Sequence, residues 1–133
     1  MKRVFFDEDI FKLLKEIDHR YNNADIGITV FKEEIPVEIL TQLYSNGWNI
    51  KNNYFLVLDD INAATIKTLL NIIQFPNFFK GVCINCEVET DILQKIIDAC
   101  RASNLNIFHT KRYLKQDQLF FPYLKVVDIL YDI

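Results

Sequence analysis

Glycine and proline are scarce in this chain of 133 residues, which contains three of each. So few glycines leave little room for a glycine-rich phosphate loop, and the sequence contains no Walker-type loop, no dinucleotide-binding fingerprint and no Gly-x-Ser-x-Gly turn. Long apolar runs are missing too, since none reaches the roughly 18 residues that a membrane-spanning helix requires. The sequence therefore predicts neither those nucleotide-binding and hydrolase classes nor a membrane partner.

The chain also has few cysteines and no excess of positive charge. The three cysteines are an odd number at uneven spacing, unlike a disulfide framework. The amino-terminal stretch reaches three acidic residues before any apolar run long enough for a signal peptide. The net charge of −3 and the pI near 5.3 argue against nonspecific binding to nucleic acid or to anionic membranes. We therefore expect a cytoplasmic protein without a nucleic-acid partner.

Apolar residues make up 50% of the chain, which suits a packed core in a single domain over residues 1–133. Strand-like segments alternate with segments whose apolar residues recur every three or four positions, as in helices. The predicted strands are 2–6, 26–31, 54–58, 82–86 and 105–109, while 122–131 fits either a last helix or an edge strand. Such alternation predicts parallel pairing through crossovers. We predict an α/β fold, a three-layer α/β/α sandwich with a mainly parallel sheet of about five strands.

The segment Tyr54-Phe-Leu-Val-Leu-Asp-Asp60 is the most informative in the sequence. Its five apolar residues are typical of a central strand that is buried on both faces. In open α/β sheets, ligands bind outside the carboxyl ends of the strands. Asp59 and Asp60 are therefore predicted to be the best-placed groups for binding a ligand.

Acidic residues also follow the predicted first strand, as Asp7-Glu8-Asp9, and Lys111 follows the fifth. Together with Asp59-Asp60, this order resembles the response-regulator receiver family, which has a flavodoxin-like fold. In that family, carboxylates at these places bind magnesium, the third-strand Asp accepts a phosphoryl group, and a Lys ends the fifth strand. The resemblance therefore implies Mg²⁺ as a cofactor, held by the oxygen ligands that a hard cation prefers.

The chain departs from the receiver family at three places. Asn85, Cys86 and Glu87 stand where the family has Ser or Thr at the end of the fourth strand, and no proline follows Lys111. The proline and glycine that usually follow the phosphoacceptor are replaced by Ile61-Asn62-Ala63-Ala64. With these departures, the resemblance implies a degenerate pseudo-receiver that signals without phosphotransfer.

Helix capping is a simpler role for the same carboxylates. Asp7, Asp9, Asp59 and Asp60 each precede a helix-like segment, where they would cap the first turn and complement the helix dipole. Asn62 is a further predicted cap for the third helix, and Thr90 or Asp91 for the fourth.

Cys83 and Cys86 have Cys-x-x-Cys spacing, but Cys83 lies inside a predicted strand rather than at a helix start, where a thiol would be activated. Cys86 and His109 would both end neighbouring strands, which leaves a partial metal site or a cysteine enzyme as an alternative to buried cysteines that only pack. Lys111, with Arg112 and Lys115, forms a small basic cluster that either contacts phosphate or an acidic partner or is a solvated loop.

Several aromatic residues lie in or beside irregular segments, where the core has less need of them. They are Trp48, Phe75, Phe78, Phe79, Phe120, Phe121 and Tyr123. Such residues either form an interaction patch or pack across the ends of the sheet.

A small acidic α/β domain without a recognisable catalytic set predicts a non-enzymatic protein that binds another protein. One concrete version is an immunity protein, or antitoxin, that neutralises a basic toxin, with acidic residues for steering and aromatic anchors for affinity. The predicted contact residues are Asp7, Asp9, Asp59, Asp60, Lys111, Trp48, Phe78 and Phe79. No catalytic residue and no metal ligand is predicted, apart from magnesium in the receiver-like alternative.

Overall fold

Strands and helices alternate along the chain in the computed structural model, which describes residues 1–5, 9–30, 33–45, 51–75 and 78–128. The strands are β1 (Lys2–Phe5), β2 (Asp25–Thr29), β3 (Asn53–Leu58), β4 (Phe79–Ile84), β5 (Asn106–Thr110) and β6 (Leu124–Val127). The helices are α1 (Ile10–Arg20), α2 (Val37–Ser45), α3 (Ala63–Ile72) and α4 (Thr90–Ala102). None of these four helices is long and apolar enough to cross a membrane.

All six strands form one parallel sheet, in which each strand pairs with the next strand in the chain. The predicted α/β class with a mainly parallel sheet is therefore confirmed, with one strand more than the predicted five. The additional strand is β6, so part of the segment 122–131 is an edge strand, and the helical alternative for it is wrong. The strand that contains Tyr54 lies third in the order, as a central strand should.

The buried apolar side chains of the four helices all belong to one hydrophobic cluster. They pack against alternate strand residues such as Ile28, Leu56 and Ile107. A sheet whose crossovers all step in the same direction has this arrangement, because right-handed connections then place every helix on the same side. The helices thus cover the side of the sheet that carries these three residues, and no described helix forms a layer on the other side, where a three-layer sandwich would have one.

The opposite side of the sheet has a smaller cluster of its own, to which no described helix contributes a buried residue. We call this side the second face; it carries Phe55, Val57, Cys83, Phe108 and Val127. Val57 and Cys83 are buried, whereas both phenylalanine rings are half-buried and meet edge to face with centroids 6.0 Å apart. Met1 also packs here, directly above Gly27, where a Cβ would lie 2.8 Å from the Met1 sulfur.

The starts of the helices only partly follow the predicted caps. Asn62 caps α3 as predicted, in a capping box with Thr65. Asp9 occupies the N-cap position of α1, but its side chain makes no capping hydrogen bond. The predicted cap of α4 is wrong, because Glu89 precedes the helix and the Thr90 hydroxyl donates to Asp117 instead (2.9 Å).

Candidate functional site

The strand order determines which of the predicted site residues lie together. A flavodoxin-like sheet has the order 2-1-3-4-5, in which β1 lies beside β3. Here β2 separates them, so Asp9 and Asp59 follow strands that are not neighbours. This order does not favour a receiver-like carboxylate cluster. Among the described residues, no group of three or more His, Cys, Asp or Glu side chains could hold a metal ion. Two of the predicted contact residues, Asp7 and Trp48, are not among the residues that the structure describes.

Asp59 belongs to a row of polar side chains that crosses the carboxyl ends of the strands. It forms an ion pair with Arg3 and accepts a hydrogen bond from Asn85 Nδ2 (3.1 Å). Asn85 Oδ1 in turn accepts from the Thr110 hydroxyl (3.0 Å), and Arg3 Nε donates to Thr29 (2.9 Å). The Asp59 side chain is only 20% exposed. We conclude that Asp59 ties strand ends together and does not cap α3.

Sequence reasoning did not select Arg3, Thr29 or Thr110, and it considered Asn85 only as a departure from the receiver pattern. The signal that could have identified them is the strand period of two, which points alternate side chains to the same face. Asn85 stands two residues after Cys83, and Thr110 two residues after Phe108, so both belong to the second face.

Asp60 is exposed and lies outside this row. Its carboxylate accepts from the backbone N–H of Ile61 (2.9 Å) and from Asn62 Nδ2 (3.2 Å). It therefore supports the turn before α3, while Asn62 does the capping. Lys111, the predicted basic partner, is also exposed and begins a 3-10 turn, Lys111–Tyr113, directly after β5.

The predicted aromatic patch divides between core and surface. Phe78 and Phe79 are each 2% exposed, and the Phe78 ring stacks on Tyr54 with centroids 5.2 Å apart. These two residues therefore pack in the core, which was the alternative to an interaction patch, and they do not form a contact surface. Phe120, by contrast, is 87% exposed.

The loop before Phe120 is fixed against the segment that leads into α4. The buried Gln118 side chain donates from Nε2 to the carbonyl oxygen of Val88 (2.8 Å) and contacts the Thr90 hydroxyl (3.3 Å). The backbone N–H of Phe121 donates to the carbonyl oxygen of Gln118 (3.3 Å). Phe120 therefore lies on a fixed loop, two residues after the Gln118 side chain that contacts residues 88–90.

Exposed charges are distributed unequally between the two ends of the strands. Carboxylates that are exposed or half-exposed collect where the strands end and the helices begin, and we call this group the acidic edge: Glu33, Glu34, Asp60, Glu87, Glu89 and Asp91. The bases there are Lys111, Arg112 and Lys115, of which Lys115 pairs with Glu89 (3.2 Å). The opposite, amino end of the strands carries Lys2, Arg20, Lys51, Lys80, Arg101 and Lys125, with Asp18 and Asp25. Helix dipoles favour this distribution, and it gives the molecule an acidic and a basic end.

The thiols and the buried histidine do not form a reactive pair. Burial raises the pKa of Cys83 and Cys100 to about 12, and burial together with the charge of Asp60 raises that of Cys86 to about 11. All three thiols are thus protonated at neutral pH, whereas a cysteine nucleophile needs the thiolate. His109 is buried, and burial lowers its pKa. These shifts disfavour the cysteine enzyme that was an alternative for Cys86 and His109.

No family model, no curated protein and no solved structure matches this chain.

Proposed function

We propose that this protein binds another protein through the acidic edge, with Phe120 as an aromatic anchor. The partner is basic, such as a toxin that this chain neutralises as an immunity protein. The observation that carries the proposal is the 87% exposed Phe120 ring on a loop that is fixed beside the acidic edge.

An exposed phenylalanine on a fixed loop suits an anchoring role. Aromatic residues are enriched among the few residues that dominate binding energy at interfaces. Because Gln118 already orders the loop through Val88 and Thr90, burying the Phe120 ring costs less conformational entropy than burying a ring on a free segment.

The acidic edge supplies the complementary electrostatic part. Exposed carboxylates contribute little to affinity one by one, but a surface of one sign accelerates encounter with a partner of the opposite sign. Glu87, Glu89 and Asp91 lie in or next to the segment that Gln118 contacts, so acidic residues and the aromatic ring share one region. A basic protein surface with an apolar pocket has the matching chemistry.

The receiver-like alternative stays a prediction, and no contact in the described chain favours it. Asp59 is paired with Arg3, and β2 separates β1 from β3. To bind magnesium at these carboxylates, Asp59 would have to give up its contacts with Arg3 and Asn85.

Affinity capture with matched variants tests the proposal. The tagged protein is used to capture proteins from its native host, and the partner is then purified and its binding measured. We expect Phe120→Ala to weaken binding at least tenfold, since loss of an anchor costs about 2 kcal/mol or more. The double variant Glu87→Lys with Glu89→Lys should slow association and flatten its dependence on salt.

Leu70→Ala is the control, because Leu70 is 49% exposed on α3 and lies away from the acidic edge. It should bind like the unmodified protein. A partner whose affinity is unchanged by both test variants, or an acidic partner, would contradict the proposal.

A further inference from the structure

His109 is a buried polar residue whose ring uses only one of its two nitrogens. The residue is fully buried, and its Nδ1 lies 2.9 Å from the carbonyl oxygen of Thr110. Nε2 is also buried, and it has no hydrogen-bond partner among the described residues. A buried polar atom without a partner is rare in native proteins and marks strain or a function. His109 belongs neither to the acidic edge nor to the row of polar side chains around Asp59.

The fold places His109 beneath the connection from β5 to β6. Phe108 lies on the second face, so the next side chain, His109, points to the helix side. We call residues 111–123 the crossover; it lies on that same side, because its Leu114 and Phe121 pack against the helix-side cluster. The helix α4 joins β4 to β5 and buries its apolar face in the same cluster. His109 therefore lies where α4 and the crossover meet.

Two side-chain hydrogen bonds join the crossover to the start of α4 at this junction. Gln118 Nε2 donates to the carbonyl oxygen of Val88 (2.8 Å), and the Thr90 hydroxyl donates to Asp117 (2.9 Å). Phe120 follows Gln118 by two residues, so the same contacts fix the exposed ring. Anything that separates the crossover from α4 therefore also frees Phe120.

We propose that His109 is a pH switch for the Phe120 loop, in which protonation of the ring releases the crossover from α4. A protonated imidazole donates from both nitrogens, and Nε2 has no acceptor in the closed structure. Opening the crossover admits water, which accepts this hydrogen bond and solvates the charge. The closed form is thus favoured while His109 is neutral, and acid favours the open form.

Neighbouring charges do not compensate a proton on His109. Burial lowers its pKa, only the backbone contact with Thr110 raises it, and no charged group is among the causes of the shift. The thiols of Cys86 and Cys100 on this side of the sheet are protonated at neutral pH, because burial raises their pKa values. The charged side chains of the surrounding segments are exposed or half-exposed: Asp60, Glu87, Glu89, Asp91, Lys111, Arg112, Lys115, Asp117 and Asp128.

Proton linkage gives the direction and the size of the effect. In the open form the ring has the ordinary pKa of 6.5, whereas in the closed form burial keeps the pKa lower. The closed form therefore has its full advantage above pH 6.5 and loses that advantage as the pH falls. Between about pH 7.5 and about pH 5, protonation of the open form favours opening by up to about 30-fold.

Hydrogen exchange on the free, intact chain, resolved by residue with NMR, measures this opening. The backbone N–H groups of Leu114, Gln118 and Phe121 donate to carbonyl oxygens within the crossover, so they report on its closure. Their exchange rates, divided by those of an unstructured chain at the same pH, should rise up to about 30-fold from about pH 7.5 to about pH 5. Leu56 in the central strand β3 reports global unfolding and should exchange more slowly at both pH values.

Neutral replacements of the ring test whether His109 is the responsible group. His109→Gln and His109→Phe cannot take up the proton, so neither should show the rise in crossover exchange. His19→Gln is the control, because His19 is exposed, and it should keep the full rise. Crossover exchange that is independent of pH in the unmodified protein, that rises equally in a folded His109 variant, or that is no faster than exchange at Leu56 would overturn the proposal.

Weaker partner binding in acid is the consequence of the switch that rests on the proposed function. The affinity of the unmodified protein for the captured partner should fall more between the two pH values than that of folded His109→Gln. The carboxylates of the acidic edge titrate alike in both proteins, so the comparison isolates His109. Equal losses of affinity would overturn the role of the switch in binding. The exchange measurement needs no partner, so its outcome is independent of whether the acidic edge binds a basic protein.

Discussion

Asp59 and Asp60 are adjacent in the sequence but have different environments. The sequence pattern predicted both as ligand candidates or helix caps. The structure ties Asp59 to Arg3 and Asn85, while Asp60 stays exposed and only supports a turn. The position of the pair at a strand end could be predicted from the apolar run before it. The partner of Asp59 could not, because Arg3 comes near it only through strand pairing across β2.

His109 is predicted to make stability depend on pH. Its Nδ1 lies 2.9 Å from the carbonyl oxygen of Thr110, and its Nε2 has no hydrogen-bond partner among the described residues. Burial lowers the pKa below the ordinary value of 6.5, and the backbone contact opposes this only in part. Below pH 6.5 the unfolded chain therefore binds more protons at this residue than the folded chain does. The contribution of His109 to the free energy of unfolding is fully present above that pH and falls as the pH drops below it.

Urea unfolding between about pH 7.5 and about pH 5 measures this effect. We expect His109→Gln to lose less stability over this range than the unmodified protein does, whatever its stability at pH 7.5. His19→Gln is the control, since His19 is exposed, and it should keep the full pH dependence. An identical slope in all three proteins would show that His109 is not the responsible group.

Among the elements, α3 and α4 offer a matched comparison of helix starts. Asn62 caps α3 with hydrogen bonds in both directions to Thr65, whereas Glu89 at the start of α4 makes no side-chain capping bond. We expect Asn62→Ala to reduce the free energy of unfolding by about 1 kcal/mol, as loss of a cap typically does. Glu89→Ala should change it by less than about 0.5 kcal/mol, since it removes only an exposed ion pair with Lys115. Equal losses in denaturant unfolding would contradict this account of the caps.

The existence of most elements could be predicted from local pattern, because period and turn residues are properties of short segments. Boundaries were less accurate: β4 begins at Phe79, three residues before the predicted start at Val82, and it ends before Cys86. The spacing of apolar residues carries no information about backbone hydrogen bonds between strands. Those bonds extend β4 through Lys80, although its side chain is exposed. The segment after Pro122 was ambiguous because its edge position leaves most of its residues exposed.

Strand order could not be predicted from the sequence. Alternating strands and helices permit both the flavodoxin-like order and the sequential order found here, since both use right-handed parallel crossovers. The choice depends on contacts between distant segments, such as Ile26 beside Tyr54. The receiver resemblance depended on carboxylates at strand ends, and that pattern does not specify which strands are neighbours.

At the scale of the whole molecule, sequential order and parallel pairing each have a consequence. Sequential order places the helices together on one side, so that no described helix covers the second face. Parallel pairing of all the strands, in addition, brings every helix start to the same end of the sheet. Acidic residues that follow the strands therefore collect in one region, where Phe120 is also exposed. Six carboxylates against three bases, Lys111, Arg112 and Lys115, make this end of the described chain net acidic.

Hydrogen–deuterium exchange on the complex with the captured partner tests the central claim most directly, namely that this chain works by binding protein through the acidic edge. We predict that binding slows exchange in residues 87–91 and in the loop around Phe120. Segments at the basic end, such as 22–25 and 103–106, should exchange as in the free protein. Protection confined to that basic end, with residues 87–91 and Phe120 unchanged, would contradict the account.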